Sequence, residues 1–315
     1  MPHSASVMVT GLGIRMTTAG SANSAGPVDS AGSGGTWDHE DEIGHSLAAA
    51  TAAVRDLGPS SVGSRTGTVW ASSTAGLEEY ARTCADIPAL GPGRVSPRRA
   101  VRSAYTGPVT AVSVRFGFDG PYLNLTGAQD AGAHAVVEAA RMIQQGQCER
   151  VLAGGSAAWP AVRPGSARPR TEGAACVLLE RRPGPGGGGA AVRLLDRARV
   201  ETGAAGRKDG PAPFIGRCLE RMGGRPRRVV LSASAGSRIP AGVVAELCGA
   251  PCLDVEARWG DLGAAGGFAA LAAAAAMTTR RGEERRGQGR PHILVLAVGA
   301  GNAVAIEVTS RTGGR

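Results

Sequence analysis

The run Thr126-Gly-Ala-Gln-Asp-Ala-Gly-Ala-His134 constrains the fold of this chain more than any other stretch. It stands between a strand-like run, Gly120-Pro-Tyr-Leu-Asn-Leu125, and an apolar-periodic segment from Ala135 to Ile143. A strand, a tight turn of small residues and a helix make an elbow that lifts one side chain to a helix N-terminus. Backbone N–H groups and the helix dipole favour developing negative charge at that point. The raised side chain is Gln129. An amide is not an acyl-transfer nucleophile at neutral pH, so a turn shaped for chemistry presents a residue unable to start it.

Strand-like and helix-like segments alternate on both sides of the elbow, which predicts an α/β sandwich. Strands are expected at 6–14, 66–73, 120–126, 150–156 and 173–181, with helices near 44–57, 75–85, 98–115 and 130–145. A second series follows: strands at 190–200, 228–234, 251–256, 292–298 and 302–309, and helices near 212–222, 240–248 and 263–277. Each series places a helix after a turn of small residues and closes with two strands. The expected division is therefore 1–183 and 190–315, joined by the glycine run 184–189. Segments 19–36 and 281–290, rich in Gly and Ser or in charge, are expected as exposed loops.

The elbow resembles that of the β-ketoacyl synthases, whose pattern is small-Ala-Cys-Ala-Ser-Gly-x-His. Read back from Gly132 and His134, the nucleophilic cysteine falls on Gln129. Other motifs follow in family order. Val7-Met-Val-Thr-Gly-Leu-Gly-Ile14 resembles the opening strand and turn. Arg150-Val-Leu-Ala-Gly-Gly-Ser156 resembles the strand after the elbow helix, and Glu172-Gly-Ala-Ala-Cys-Val-Leu-Leu-Glu180 the strand that ends the first half. The resemblance is to the cysteine-less partner subunit of type II polyketide synthases, the chain-length factor, which carries glutamine at the elbow. It implies a thiolase-like fold of two pseudo-repeated βαβαβαββ halves.

Two further motifs decide the chemistry that the resemblance allows. In active synthases a pair of histidines polarises the malonyl thioester carbonyl and assists decarboxylation. The first histidine motif aligns with Ser234-Ala235-Gly236-Ser-Arg-Ile-Pro240-Ala-Gly242, which places Ala235 at the histidine. The second aligns with Trp259-Gly260-Asp261-Leu-Gly263-Ala-Ala-Gly266, so its histidine becomes Gly260, or Asp261 after a slip of one. Asp261 in that place is expected to pair with an arginine rather than act as a base. The family also has a lysine shortly before this motif, whereas the sole lysine here is Lys208. With cysteine, histidines and lysine all missing, condensation by this subunit is excluded.

There are departures from the family pattern. Members usually exceed 400 residues as the resemblance has it, and here the interval between Ser156 and Glu172 is cut short. The closing Asn-Ser-Phe-Gly-Phe-Gly-Gly-x-Asn motif survives as Val298-Gly-Ala-Gly-Asn302, without its phenylalanines.

What the resemblance implies about partners is specific: an active ketosynthase, joined through the strand 120–126, and an acyl carrier protein. The formal net charge of +9 is carried almost wholly by arginine. It arrives with no zinc-ligand spacing, helix-turn-helix signal or RNP-like run, so no nucleic-acid partner is expected. The cluster Arg94, Arg98, Arg99 and Arg102 is a candidate docking site for an acidic carrier protein, or else a solvated basic loop. By the same resemblance Leu77, Tyr80 and Cys84, with Val101 from the next segment, face an acyl tunnel. The first three share one helical face by their i, i+3, i+7 spacing, a pattern that ordinary core packing also gives. Tyr80, the large member, predicts a short product of about three to six extension cycles by analogy.

Six cysteines at 84, 148, 176, 218, 248 and 252 show neither disulfide-framework nor zinc spacing. Buried free thiols and a cytoplasmic location are expected, with no metal and no cofactor. No basic start precedes an apolar core at the N-terminus. The longest apolar run, Leu262 to Met277, falls short of the ~20 residues of a membrane helix. Two further readings remain open beside the chain-length factor: a malonyl-carrier decarboxylase using Gln129, and a degenerate scaffold. A dinucleotide-dependent reductase is disfavoured, since the fingerprint's last glycine falls on Met16. For Gln129 itself, the choice is between capping its own turn and filling the place of the cysteine. His134 is expected as an ordinary helix-face residue.

Overall fold

The computed structural model describes residues 7–18, 42–55, 65–74, 76–97, 103–158, 171–181, 190–199, 211–234, 239–282, 292–299 and 302–310. The first series of elements is β1 (Val7–Thr18), α1 (Glu42–Val54), β2 (Thr66–Ser72), α2 (Leu77–Leu90), α3 (Gly107–Phe116), β3 (Tyr122–Thr126), α4 (Gln129–Gln144), β4 (Arg150–Ala157) and β5 (Thr171–Glu180). The second is β6 (Ala190–Arg199), α5 (Pro211–Met222), β7 (Arg228–Ala233), α6 (Ala241–Cys248), β8 (Cys252–Asp254), α7 (Val255–Trp259), α8 (Ala264–Gly282), β9 (His292–Val298) and β10 (Asn302–Ser310).

Strands β2, β4, β5 and β9 are buried along almost their whole length and are made of small, branched and apolar residues, because both faces of these strands are covered. The strand order is β3-β2-β4-β5-β1-β6-β10-β9-β7-β8. Read outward from the middle, each side repeats one mixed pattern. The two arrays join where β1 and β6 pair antiparallel over Val7, Met8 and Val9. The two halves expected from sequence are thus linked through one ten-stranded sheet, because the start of each first strand meets the other. The division drawn at 183 and 190 falls between β5 and β6, and residues 182–189 lie outside the described residues.

Helices α4 and α8 pack on each other and on strands of both arrays. A main core of small and branched residues surrounds them, among them Val136, Ile143, Ala264, Phe268 and Leu271. A second cluster lies under α5 and α6, and a third under α1 and α3 around Trp70. The layering is therefore helix, sheet, helix pair, sheet, helix.

Element positions agree with the sequence reading, although β1 runs on to Thr18 and α2 to Leu90, and three further differences stand out. The helix expected at 98–115 covers only Gly107–Phe116 among the described residues, because Ser103 to Thr106 turn before Pro108 sets the first helical turn. The short helix α7 went unforeseen; Asp254 caps it by accepting from the Ala257 N–H at 2.9 Å. Helix α8 runs on to Gly282, so 281–282 are not loop, while 283–290 and 19–36 lie outside the described residues.

Candidate functional site

The elbow is built from the edge of the sheet inward. Strand β3 ends at Thr126, the Gly127 N–H donates to Ser72 O at 3.1 Å, and α4 starts at Gln129. Ala128 is the N-cap residue and no side chain caps the helix. Gln129 therefore does not cap its own turn. It is only 1% exposed, and its Nε2 donates to Asp261 Oδ1 at 2.7 Å. The same oxygen accepts from the Gly263 N–H at 3.1 Å. The Gln129 side-chain oxygen, Oε1, is buried and takes no hydrogen bond from the described residues.

Close approach of α4 and α8 closes this site. A Cβ on Gly132 would lie 2.3 Å from Ala264 O, and one on Gly266 would lie 2.4 Å from Glu256 Oε1 and 2.5 Å from Ser232 Oγ. Glycine at 132 is thus a steric requirement, since the clash is with backbone, while a larger residue at 266 has to push the Glu256 and Ser232 side chains aside. The small-residue motif that marked the sequence becomes the contact surface between the two central helices. The remnant Val298–Asn302 motif also touches the elbow: Asn302 Nδ2 donates to Asp130 Oδ2 at 3.3 Å, in the first turn of α4.

Asp261 is thus occupied by an amide and a backbone N–H. The arginine pair expected for it is replaced, in the described hydrogen bonds, by Gln129. Gly260, the gapless match to the second histidine, is buried and has φ of 88°. That backbone suits glycine and strains any other residue, so the motif has lost more than its imidazole. Ala235 lies outside the described residues. His134 is half-buried on α4.

Sequence reasoning missed Glu256. Looking for a lysine just before the second motif, it passed over the acid that stands there. Glu256 is buried; it accepts from Ser232 Oγ at 2.6 Å and from the Ala233 N–H at 3.0 Å. Burial pushes its pKa up to about 8, despite the opposing hydrogen bonds. At pH 7 the carboxyl is therefore mostly neutral, and a neutral acid stands shortly before the second motif, the stretch in which the resemblance expects a lysine.

On the outside of the first array, Leu77, Tyr80 and Cys84 share one face of α2, and all three are exposed. Ile87 and Leu90 continue the exposed apolar side chains on the same helix. The core-packing alternative for this stripe therefore fails. Val101 lies outside the described residues. Of the arginine cluster, Arg94 is exposed at the end of a 3-10 turn, Pro92–Arg94, and Arg98, Arg99 and Arg102 lie outside the described residues. Cysteines 148, 176, 218 and 248 are buried and Cys252 half-buried, as free thiols, whereas Cys84 departs from the expectation by standing in the open. Burial raises the Cys218 and Cys252 thiols to about 12 and Cys248 to about 11, which leaves them inert. Among the described residues no helix is long and apolar enough to cross a membrane.

Comparison with known proteins agrees with this architecture. Residues 43–164 match the family model of the β-ketoacyl synthase N-terminal domain. No curated protein matches the chain. Among solved structures, the ishigamide ketosynthase/chain length factor superposes with a TM-score of 0.75 at 18% identity, covering 96% of this chain and 99% of that one. AntDE:AntF, a type II polyketide synthase acyl-carrier protein in complex with its ketosynthase bound to the hexaketide, gives 0.70 at 15% identity, covering 98% and 100%. A β-ketoacyl synthase from Burkholderia phymatum gives 0.67 at 15%, covering 98% and 100%. At these identities the likeness establishes the fold: a thiolase-like ketosynthase fold.

Proposed function

With a β-ketoacyl synthase N-terminal domain over residues 43–164 and a ketosynthase fold over nearly the whole chain, we propose that this protein is a non-catalytic, chain-length-factor-like subunit of a type II polyketide synthase. The observation that carries the reading is Gln129. It stands first on the elbow helix, is 1% exposed, and has its amide spent on Asp261. A group that acts on a thioester must reach it within hydrogen-bond distance, and this one is enclosed. Gly260 and the neutral Glu256 offer no replacement for the imidazoles and lysine of a working site.

What the chain offers instead is shape and surface. Strand β3 closes the sheet at one edge and pairs only with β2 among the described strands. Tyr122 on that strand, Tyr105 before α3, Val114 on α3, and the α2 stripe are all exposed. Of the ten large exposed apolar side chains among the described residues, seven fall from Leu77 to Tyr122. Such a bias favours an interface in this stretch over a uniformly solvated surface. The partner is an active ketosynthase, with the α2 stripe forming part of the acyl tunnel wall between the subunits and Tyr80 favouring a short product. An acidic acyl carrier protein docks on the basic segment around Arg94. The test is to incubate the chain alone with malonyl-loaded carrier protein. No acetyl-carrier is expected; its appearance would favour the decarboxylase reading through Gln129.

A further inference from the structure

Glu42 begins α1, yet its carboxyl is buried beneath the far ends of β2 and β4. Ser72 Oγ and Ser156 Oγ both donate to its Oε1, the latter at 2.8 Å. Thr74 Oγ1 donates to Oε2 at 3.1 Å, and the Gly76 N–H also bonds the carboxyl. Ser156 is itself fixed by Trp70 Nε1 at 3.0 Å. None of the described salt bridges reaches Glu42. One buried carboxyl thus gathers donors from β2, from β4, and from the connection leading into α2.

That connection also binds the elbow side. Ser73 Oγ accepts from the Ala264 N–H at 2.6 Å, at the start of α8, and the Ser73 N–H donates to Ser156 O at 3.2 Å. Helix α2 needs such an anchor. Among the described elements it makes extensive contact only with the 3-10 turn that follows it, and its apolar stripe is exposed. Helix burial, the usual source of positional precision, is missing here.

We infer that Glu42 is a positioning residue for α2: by holding Thr74 and Gly76 it sets the angle at which the Leu77, Tyr80 and Cys84 face is presented. The importance of that angle for product length rests on the chain-length reading above; the anchoring itself does not. Glu42→Gln keeps one acceptor oxygen and turns the other into a donor: facing the serines, that donor meets hydroxyl oxygens that already accept from Trp70 Nε1 and the Thr74 N–H, and facing the other way it meets the Gly76 N–H, which only donates.

Hydrogen exchange followed by mass spectrometry on the full chain tests this. Glu42→Gln should speed exchange across 77–90 by about tenfold or more, with 107–116 and 264–282 unchanged. Thr74→Val, which removes one donor and leaves both serines in place, should loosen the same segment to a smaller degree. It decides the matter if Glu42→Gln fails to fold. Unchanged exchange at 77–90, or an equal rise over the whole chain, overturns the inference. Product analysis of the ketosynthase complex separates the two readings. Local loosening with an unaltered product series leaves Glu42 as the anchor and removes α2 from length control.

Discussion

At the scale of single residues, Gln129 and Glu256 explain why the site is closed. Gln129→Ala removes a buried donor and leaves the Asp261 carboxylate with only the Gly263 N–H among its described partners. A loss of about 1–3 kcal/mol in stability is expected by chemical denaturation, with no change in turnover by an assembled pair. Glu256 makes a prediction with a sign. Its folded pKa of about 8 lies above the ordinary carboxyl value of 4.5. Its contribution to stability is therefore full below about pH 4.5 and is lost as pH rises through 8. Glu256→Gln should raise the melting temperature relative to the parent chain at pH 9 and leave it nearly unchanged at pH 4.5. An equal effect at both pH values would show that Glu256 is not buried as a neutral acid. Reversion is not simple either: Gln129→Cys with Gly260→His should give no condensation, because the φ of 88° at residue 260 does not suit histidine.

At the scale of elements, α2 and the α4–α8 contact behave oppositely. Gly132→Val places a side chain against Ala264 O, where a Cβ alone already lies at 2.3 Å; soluble yield should fall sharply, since overpacking a central contact costs about 1–3 kcal/mol or more. Tyr80→Ala, on an exposed face, should leave folding intact and lengthen the product of the complex, measured by mass spectrometry of released polyketides. An unchanged product from a well-folded Tyr80→Ala pair would place the length limit elsewhere. The elements themselves were legible in the sequence because apolar runs and turn residues agree: β5 and β9 carry the uninterrupted apolar runs 174–179 and 293–298, bounded by polar or glycine-rich segments. Helix α7 was not legible. Five residues are too few for periodicity, and its cap, Asp254, lies inside what looked like continuing strand. In the site, Gln129 was legible from motif spacing. Its bond to Asp261 was not, since it joins residues 132 positions apart. Glu42 escaped for the same reason: its partners come from three separate elements.

At the scale of the whole molecule, the layers give each array its own outer helices and share α4 and α8 between them, so neither array buries its inner face without the other. Among the described residues the exposed large apolar side chains concentrate between Leu77 and Tyr122, the stretch that ends on the edge strand β3. An unpaired strand edge next to apolar surface favours association, and the isolated chain should self-associate in sedimentation, with its ketosynthase converting it to a defined heterodimer. The central claim is that this chain supplies surface and shape to that pair while its partner supplies the chemistry. The direct measurement is polyketide formation by the co-purified pair, with Gln129→Ala in this chain compared against replacement of the partner's nucleophilic cysteine. The account predicts turnover within about twofold of the parent pair for Gln129→Ala, and none without the cysteine. Product that survives loss of the cysteine, or turnover that collapses in a folded Gln129→Ala pair, would contradict it.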